Sequence, residues 1–271
     1  MEQLLHVNYH ECDNNVFETM LKTFRKYNDE ATIVVTTDGL SDSYCDDLRN
    51  LYGVVFDFVD KEDMEGRRAL CKIEGMHRLA ILSPNCEIIA GDADIYYKDN
   101  PFKAFDVYGD FHLGITTRHY AYHFPINAGM IFMRVNSFME EFLKWHVEQS
   151  TSPTWKPYVE HRRKHDHERF GHDWTVGQDF MICVWRHRAA IEGAFGIIIK
   201  EIGPEYNYCP PRDLLGEENA AKDIVNAYRN RPDIKVLHLK SSLKDLIYSN
   251  ELSDCVLKHD VGNCNWREVY K

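Results

Sequence analysis

Short apolar runs alternate with longer amphipathic stretches along most of this chain. Residues 4–9 read as a first strand and 15–27 as the helix that follows it. "ATIVVTT" (31–37) is a β-branched second strand, and "DSYCDDLRNLYG" is a helix ended by Gly53. "VVFDFV" (54–59) makes a third strand. Over 67–82, Leu70, Ile73, Met76, Leu79 and Ala80 recur at helical spacing. "CEIIAG" (86–91) is then a buried strand, and "DNP" (99–101) marks a turn. "FHLGITT" (111–117) and "AGMIFMRV" (128–135) are further strands, followed by a helix over 137–150 with Ser137 as its N-cap. A helix over 175–187, a strand "FGIIIKEI", a loop "GPEYNYCPP", a helix near 220–228 and a late strand over 234–242 complete the series. The alternation predicts an α/β fold with a central, mostly parallel sheet flanked by helices. With no internal repeat or linker, 1–271 reads as a single domain, about 246–271 being a C-terminal extension.

Composition narrows the classes of partner. The chain of 271 residues is 44% hydrophobic and 28% charged, ordinary for a globular protein with a sizeable core. A formal net charge of −11 argues against nucleic acid or anionic membrane as a general partner. An anionic ligand would need local cations or a metal to admit it. The N-terminus has neither the basic start nor the apolar run of a secretory signal, and no window reaches the roughly 18 apolar residues of a transmembrane segment. The eight cysteines are scattered without a CxxC pair, so they read as reduced thiols in a cytoplasmic protein.

Two aspartates, Asp92 and Asp94, stand just past the carboxyl end of "CEIIAG" in "IIAGDADIYYKDNPF". Ligands of open α/β sheets bind outside the carboxyl ends of the strands. Carboxylates one residue apart can converge there on a hard divalent cation such as Mg²⁺ or Mn²⁺, which shares such sites with phosphates. The same pair can equally mark a solvated turn or face a lysine. It can also serve a phosphatase of the haloacid-dehalogenase type, with Asp92 as nucleophile, although that motif normally ends the first strand.

"IIAGDADIYYKDNPF", "PINAGMIFMRVN", "GQDFMICVW" and "VLHLKSS" occur in the order found in GT-A-fold glycosyltransferases, and the chain most resembles glycosyltransferase family 8, the glycogenin and galactosyltransferase group. The pattern covers about residues 3–245. The resemblance implies a metal-dependent transfer of sugar from a nucleotide-diphosphate donor, UDP-linked in this family, to the hydroxyl of a glycan or other acceptor, with retention of configuration. It implies that Asp92, Asp94 and His238 bind Mn²⁺ (or Mg²⁺) on the donor diphosphate. Lys72, or Arg78 in its place, reaches the phosphates, and Lys240 and Lys244 help neutralise them. Asn127 hydrogen-bonds the donor sugar, and Gly129 lets backbone approach the ligand. Tyr9 and Asp38 contact the nucleoside. Gln178 and Asp179 form the catalytic pair, the glutamine near the anomeric carbon and the aspartate on the sugar hydroxyls. The chain departs from the family at Gly177, where an aspartate is usual, and in lacking Gly-x-x-Lys-Pro-Trp after the histidine.

Residues 151–175 break the periodicity. Their His161, His165, His167 and His172, beside Asp166 and Glu168, match no zinc spacing. A long polar segment with Arg162, Arg163 and Lys164 reads instead as a mobile flap on the acceptor side.

Overall fold

The computed structural model of the chain describes residues 1–10, 13–61, 68–118, 125–151 and 177–247. Nine strands and nine α-helices lie within them: β1 Gln3–Tyr9, α1 Asn14–Tyr27, β2 Thr32–Thr37, α2 Asp42–Tyr52, β3 Val54–Phe58, α3 Arg68–Leu82, β4 Glu87–Gly91 and β5 Ile95–Tyr97 come first. Then follow α4 Lys103–Tyr108, β6 Leu113–Thr117, β7 Ile126–Arg134, α5 Ser137–Thr151, α6 Gln178–Arg186, α7 Arg188–Phe195, β8 Ile199–Ile202, α8 Arg212–Leu215, α9 Glu217–Asn230 and β9 Val236–His238.

Seven strands form one sheet in the order β3-β2-β1-β4-β7-β6-β8. All pairs are parallel except those that β7 makes with β4 and β6. The carboxyl ends of β1, β2, β4, β6 and β8 therefore share one edge with the start of β7. Because β2 and β3 lie to one side of β1 and β4 to the other, the chain changes direction between β1 and β4. A crevice opens at such a switch point.

Alternate residues of each central strand enter different cores. Leu5, Val7, Ile33, Val35 and Ile89 pack with Phe17, Met20 and Phe24 of α1. On the opposite face, Leu4, Ile88 and Ala90 pack with Ile73, Met76, Met139 and Phe142 from α3 and α5. Burial on both faces explains why these strands read as continuous apolar runs. A third core of Tyr96, Ile224, Val225 and Leu237 seats α9 against a separate two-stranded sheet, β5-β9.

Several expected boundaries move. The α5 N-cap is Asn136, whose Oδ1 accepts from Met139 N at 2.8 Å, and Ser137 is the first helical residue. The strand expected from Phe195 begins at Ile199, because 188–195 continue as α7 until Gly196 adopts φ 67. β7 starts two residues early, at Ile126. The late strand is only Val236–His238 and stands outside the main sheet. Gly53 ends α2 in the left-handed conformation (φ 62), as expected. The histidine-rich segment lies outside the described residues from 152 to 176, and the C-terminal extension does so from 248. Cys45, Cys71, Cys86, Cys183 and Cys209 form no disulfide with one another.

Candidate active site

Gly91 closes β4, and the next three residues carry the chain from the main sheet to β5. Asp92 N is held by Gly129 O at 2.9 Å, so the first aspartate is pinned across to β7. β5 pairs antiparallel with β9, with Ile95 opposite His238, and Leu239 N donates to Asp94 O at 2.9 Å. This pairing of short strands brings a histidine from late in the chain against the aspartates.

His238 Nε2 lies 3.1 Å from Asp94 Oδ1 and 3.4 Å from Asp92 Oδ2. The three ligand atoms all lie within 4.8 Å of one another, compact enough to share one metal ion. The other oxygen of each carboxylate is taken by a lysine. Lys72 Nζ reaches Asp92 Oδ1 at 2.8 Å, and Lys244 Nζ reaches Asp94 Oδ2 at 3.1 Å. The aspartates therefore face both alternatives weighed from the sequence: lysines on the outside and a shared point within.

The ring's tautomer is set by Asn207, a residue that sequence reasoning missed. Asn207 Nδ2 donates to Thr116 Oγ1 at 2.8 Å and to Asn127 O at 3.0 Å, which turns its Oδ1 toward His238. The Nδ1–H of His238 donates to that Oδ1 at 2.9 Å. Nε2 is left with a bare lone pair aimed at two carboxylates. Nε2 and Asp94 Oδ1 are both buried without a hydrogen-bond partner. Unmatched lone pairs so placed fit a divalent cation bound between them, with the outer-shell hydrogen bond that metal-ligating histidines characteristically make. An asparagine in a proline-bearing loop carries no motif signal; only its partners identify it.

Charge follows the same geometry. Burial would raise the Asp94 carboxyl, a protonated His238 would lower it, and Lys244 and Lys240 lower it further, so that it lies below the usual carboxylate range. Burial and Lys240 push His238 down against the pull of Asp94 and Asp92, in the direction of the neutral ring. Lys240 falls to about 8 through burial and repulsion by Arg118, opposed by Asp92, Cys209 and Asp94.

Gly129 has no room for a side chain: a Cβ there would stand 2.1 Å from His238 Cε1. The close approach expected at this glycine is to the histidine ring. Asn127 is buried, with its Oδ1 accepting from Gly129 N at 3.3 Å and its Nδ2 near Asn207 O at 3.4 Å, so its side chain braces the histidine's surroundings. Gln178 opens α6 and grips the start of β7, donating to Ile126 O at 2.6 Å and accepting from Ala128 N at 2.9 Å. Asp179 lies in the first turn of α6, where its charge suits the helix dipole. Arg78 points elsewhere, pairing with Asp57 at 2.5 Å, so of the two α3 candidates Lys72 is the one that meets the aspartates.

Along the same edge, past β1 and β2, Tyr9, His10, Asp38 and Tyr44 line a cavity of about 420 Å³. Asp38 Oδ2 pairs with His10 Nδ1 at 2.6 Å, and the Tyr9 hydroxyl donates to Asn14 Oδ1.

No family model matches the chain, and no curated protein is similar to it in sequence. Solved structures are. The galactosyltransferase LgtC, in complex with donor and acceptor sugar analogs, superposes with a TM-score of 0.56 at 16% identity, over 99% of this chain and 99% of that one. The fold is that of the GT-A glycosyltransferases. The glycosyltransferase GlyE of Streptococcus pneumoniae shares this GT-A fold with a TM-score of 0.56 and 12% identity over 95% of this chain. The present chain spans 62% of GlyE. Mouse xyloside xylosyltransferase 1 gives a TM-score of 0.52 and 15% identity, over 89% of this chain and 98% of its own. In this GT-A chain, no helix among the described residues is long and apolar enough to cross a membrane.

Proposed function

We propose that this protein is a divalent-metal-dependent glycosyltransferase that moves a sugar from a nucleotide-diphosphate donor, UDP-linked, to an acceptor hydroxyl. The observation that carries this is the convergence of Asp92 Oδ2, Asp94 Oδ1 and His238 Nε2, with the ring's other nitrogen committed to Asn207. Asp92 is the most open of the three, its side chain 39% exposed against 1% for His238, which suits entry of a ligand from its side. Mn²⁺ or Mg²⁺ held by this trio would supply charge neutralisation at the departing diphosphate.

The chain's own residues account for the rest of the reading. Lys72, Lys240 and Lys244 supply positive charge around the trio, so an acidic protein offers a locally cationic site. The cavity at Tyr9 and Asp38 suits the nucleoside, one strand away from the metal trio. Gln178 and Asp179, at the start of α6, are assigned to the reacting sugar. Gln178 Oε1 keeps a second lone pair beyond its bond to Ala128 N, which suits stabilisation of positive charge developing at an anomeric carbon. Retention follows if acceptor and diphosphate share one face of the sugar. Asp92, held by Lys72 and turned toward His238, is poorly placed as a free phosphatase nucleophile.

The test titrates Mn²⁺ against the purified protein, alone and with UDP- and GDP-sugars, following thermal stability and nucleotide release. Metal-dependent stabilisation by a UDP-sugar, with release of UDP when acceptor is added, is expected. Stabilisation that ignores metal and nucleotide would overturn the reading. NMR of the product from an α-linked donor reports the stereochemistry, an α-linked product meaning retention.

A further inference from the structure

Arg118 immediately follows β6 and has no visible employment. Its guanidinium Nε and Nη2 are shut off from solvent, with no hydrogen-bond partner among the described residues. Its backbone N–H is occupied by Pro125 O at 2.7 Å, and Glu201 across the strand accepts instead from Thr117 Oγ1 at 2.5 Å. A guanidinium keeps its charge at any accessible pH. Leaving its donors unmet out of water is costly, so such a group is normally matched to a carboxylate or phosphate, which its fork binds in bidentate fashion. Arg118 also stands near Lys240, whose ammonium feels it as the strongest repulsion.

Position along the sheet edge says which part of a substrate that anion belongs to. From β2 and β1, which carry the nucleoside cavity, the order runs through β4 and β7, which carry the metal trio, to β6, which carries Arg118. A nucleotide sugar laid from cavity to metal therefore directs its sugar, and the acceptor beyond it, toward Arg118.

We propose that Arg118, backed by Lys240, is a specificity-determining residue that binds a carboxylate or phosphate on the sugar end of the reaction, carried by the transferred sugar or by the acceptor. The assignment rests on the glycosyltransferase reading above. It makes an acidic sugar, rather than a neutral one, the preferred substrate.

The experiment measures binding to the full chain with Mn²⁺ by calorimetry, in two arms. The donor arm compares UDP-glucuronate with UDP-glucose. The acceptor arm, run with UDP present, compares glucuronate and glucose 6-phosphate with glucose. Each is repeated for Arg118→Gln and Arg118→Lys. In one arm the acidic ligand should bind wild type about tenfold or more tighter than its neutral counterpart, the size of one charged hydrogen bond. That ratio should collapse in Arg118→Gln and return in part in Arg118→Lys, which keeps the charge and guards against simple misfolding. The arm that responds identifies the carrier of the anion. Ratios that are the same in wild type and Arg118→Gln in both arms overturn the proposal. Mn²⁺-dependent binding of UDP alone separates the two layers: if UDP binds and the ratios are flat, only the Arg118 assignment falls; if UDP does not bind, both fall.

Discussion

His238 Nε2 faces Asp94 Oδ1 across 3.1 Å while its Nδ1–H is held by Asn207 Oδ1 at 2.9 Å. The facing atoms both present lone pairs, and Asp92 Oδ2 adds a third at 3.4 Å. Electron-rich atoms held this close, two of them out of water, attract a cation strongly. The flanking lysines bind the far oxygens of the carboxylates and leave the near ones available.

Asp94→Asn removes a ligand charge with little change of volume. Mn²⁺ affinity, measured by calorimetry or electron spin resonance, should fall by at least about 100-fold, beyond the loss typical of outer-shell changes. Far-UV circular dichroism should stay as in wild type. Unimpaired Mn²⁺ binding by the variant would mean that the ion sits elsewhere.

Asn207→Ala leaves all three ligands in place and removes only the group that sets the ring's tautomer. Mn²⁺ affinity should drop by about 10–100-fold, the usual effect of an outer-shell partner. If the variant binds Mn²⁺ as wild type does, Asn207 has no part in orienting His238.

Gly129→Ala places a Cβ 2.1 Å from His238 Cε1 and 3.1 Å from Asp92 Oδ2. The ring must move, so metal binding should be lost and stability lowered by about 1–3 kcal/mol, as for overpacked cores. Urea unfolding and a Mn²⁺ titration of the same sample read both effects. Wild-type behaviour in both would show that the site tolerates a methyl group where the geometry leaves none.

His6, on β1 opposite Ala90 of β4, governs an acid sensitivity of its own. Its Nε2 lies 2.9 Å from Thr36 Oγ1, whose hydroxyl donates to Asp57 Oδ2 at 2.9 Å, so Nε2 carries the hydrogen and Nδ1 is bare and buried. Burial first, then Lys72 and Arg78 against the pull of Asp57, bring this histidine down to about 3. Below its ordinary range, the unfolded chain takes up a proton that the folded one refuses, so stability falls as pH falls toward 3. From about pH 7 to about pH 5 this one group removes roughly 2 kcal/mol. His6→Gln keeps a donor for Thr36 and loses the titration, so its urea-unfolding stability should decline less over that interval. Equal declines in the two proteins would assign the acid sensitivity to other groups.

The sequence by itself determined the layers of this protein and the elements on which the site is built. Runs such as "ATIVVTT" and "CEIIAG" are apolar on both faces because helices cover both sides of the sheet, so local pattern and tertiary burial agree there. The aspartates at the end of β4 were legible for the same reason: a polar pair directly after a buried strand marks where the sheet edge opens. Local pattern failed where partners are distant. β5 is three residues long and exists as a strand only because β9 lies beside it. Nothing within "IYY" distinguishes it from a turn, since three residues carry too little periodicity. Asn207, Arg118 and the ring of His6 gain their significance from groups brought up by other strands and loops. The sequence displays a residue's chemistry, but whether a lone pair is bare, a guanidinium unmatched or a glycine irreplaceable depends on which atoms folding places around it. Only the tertiary structure decided those.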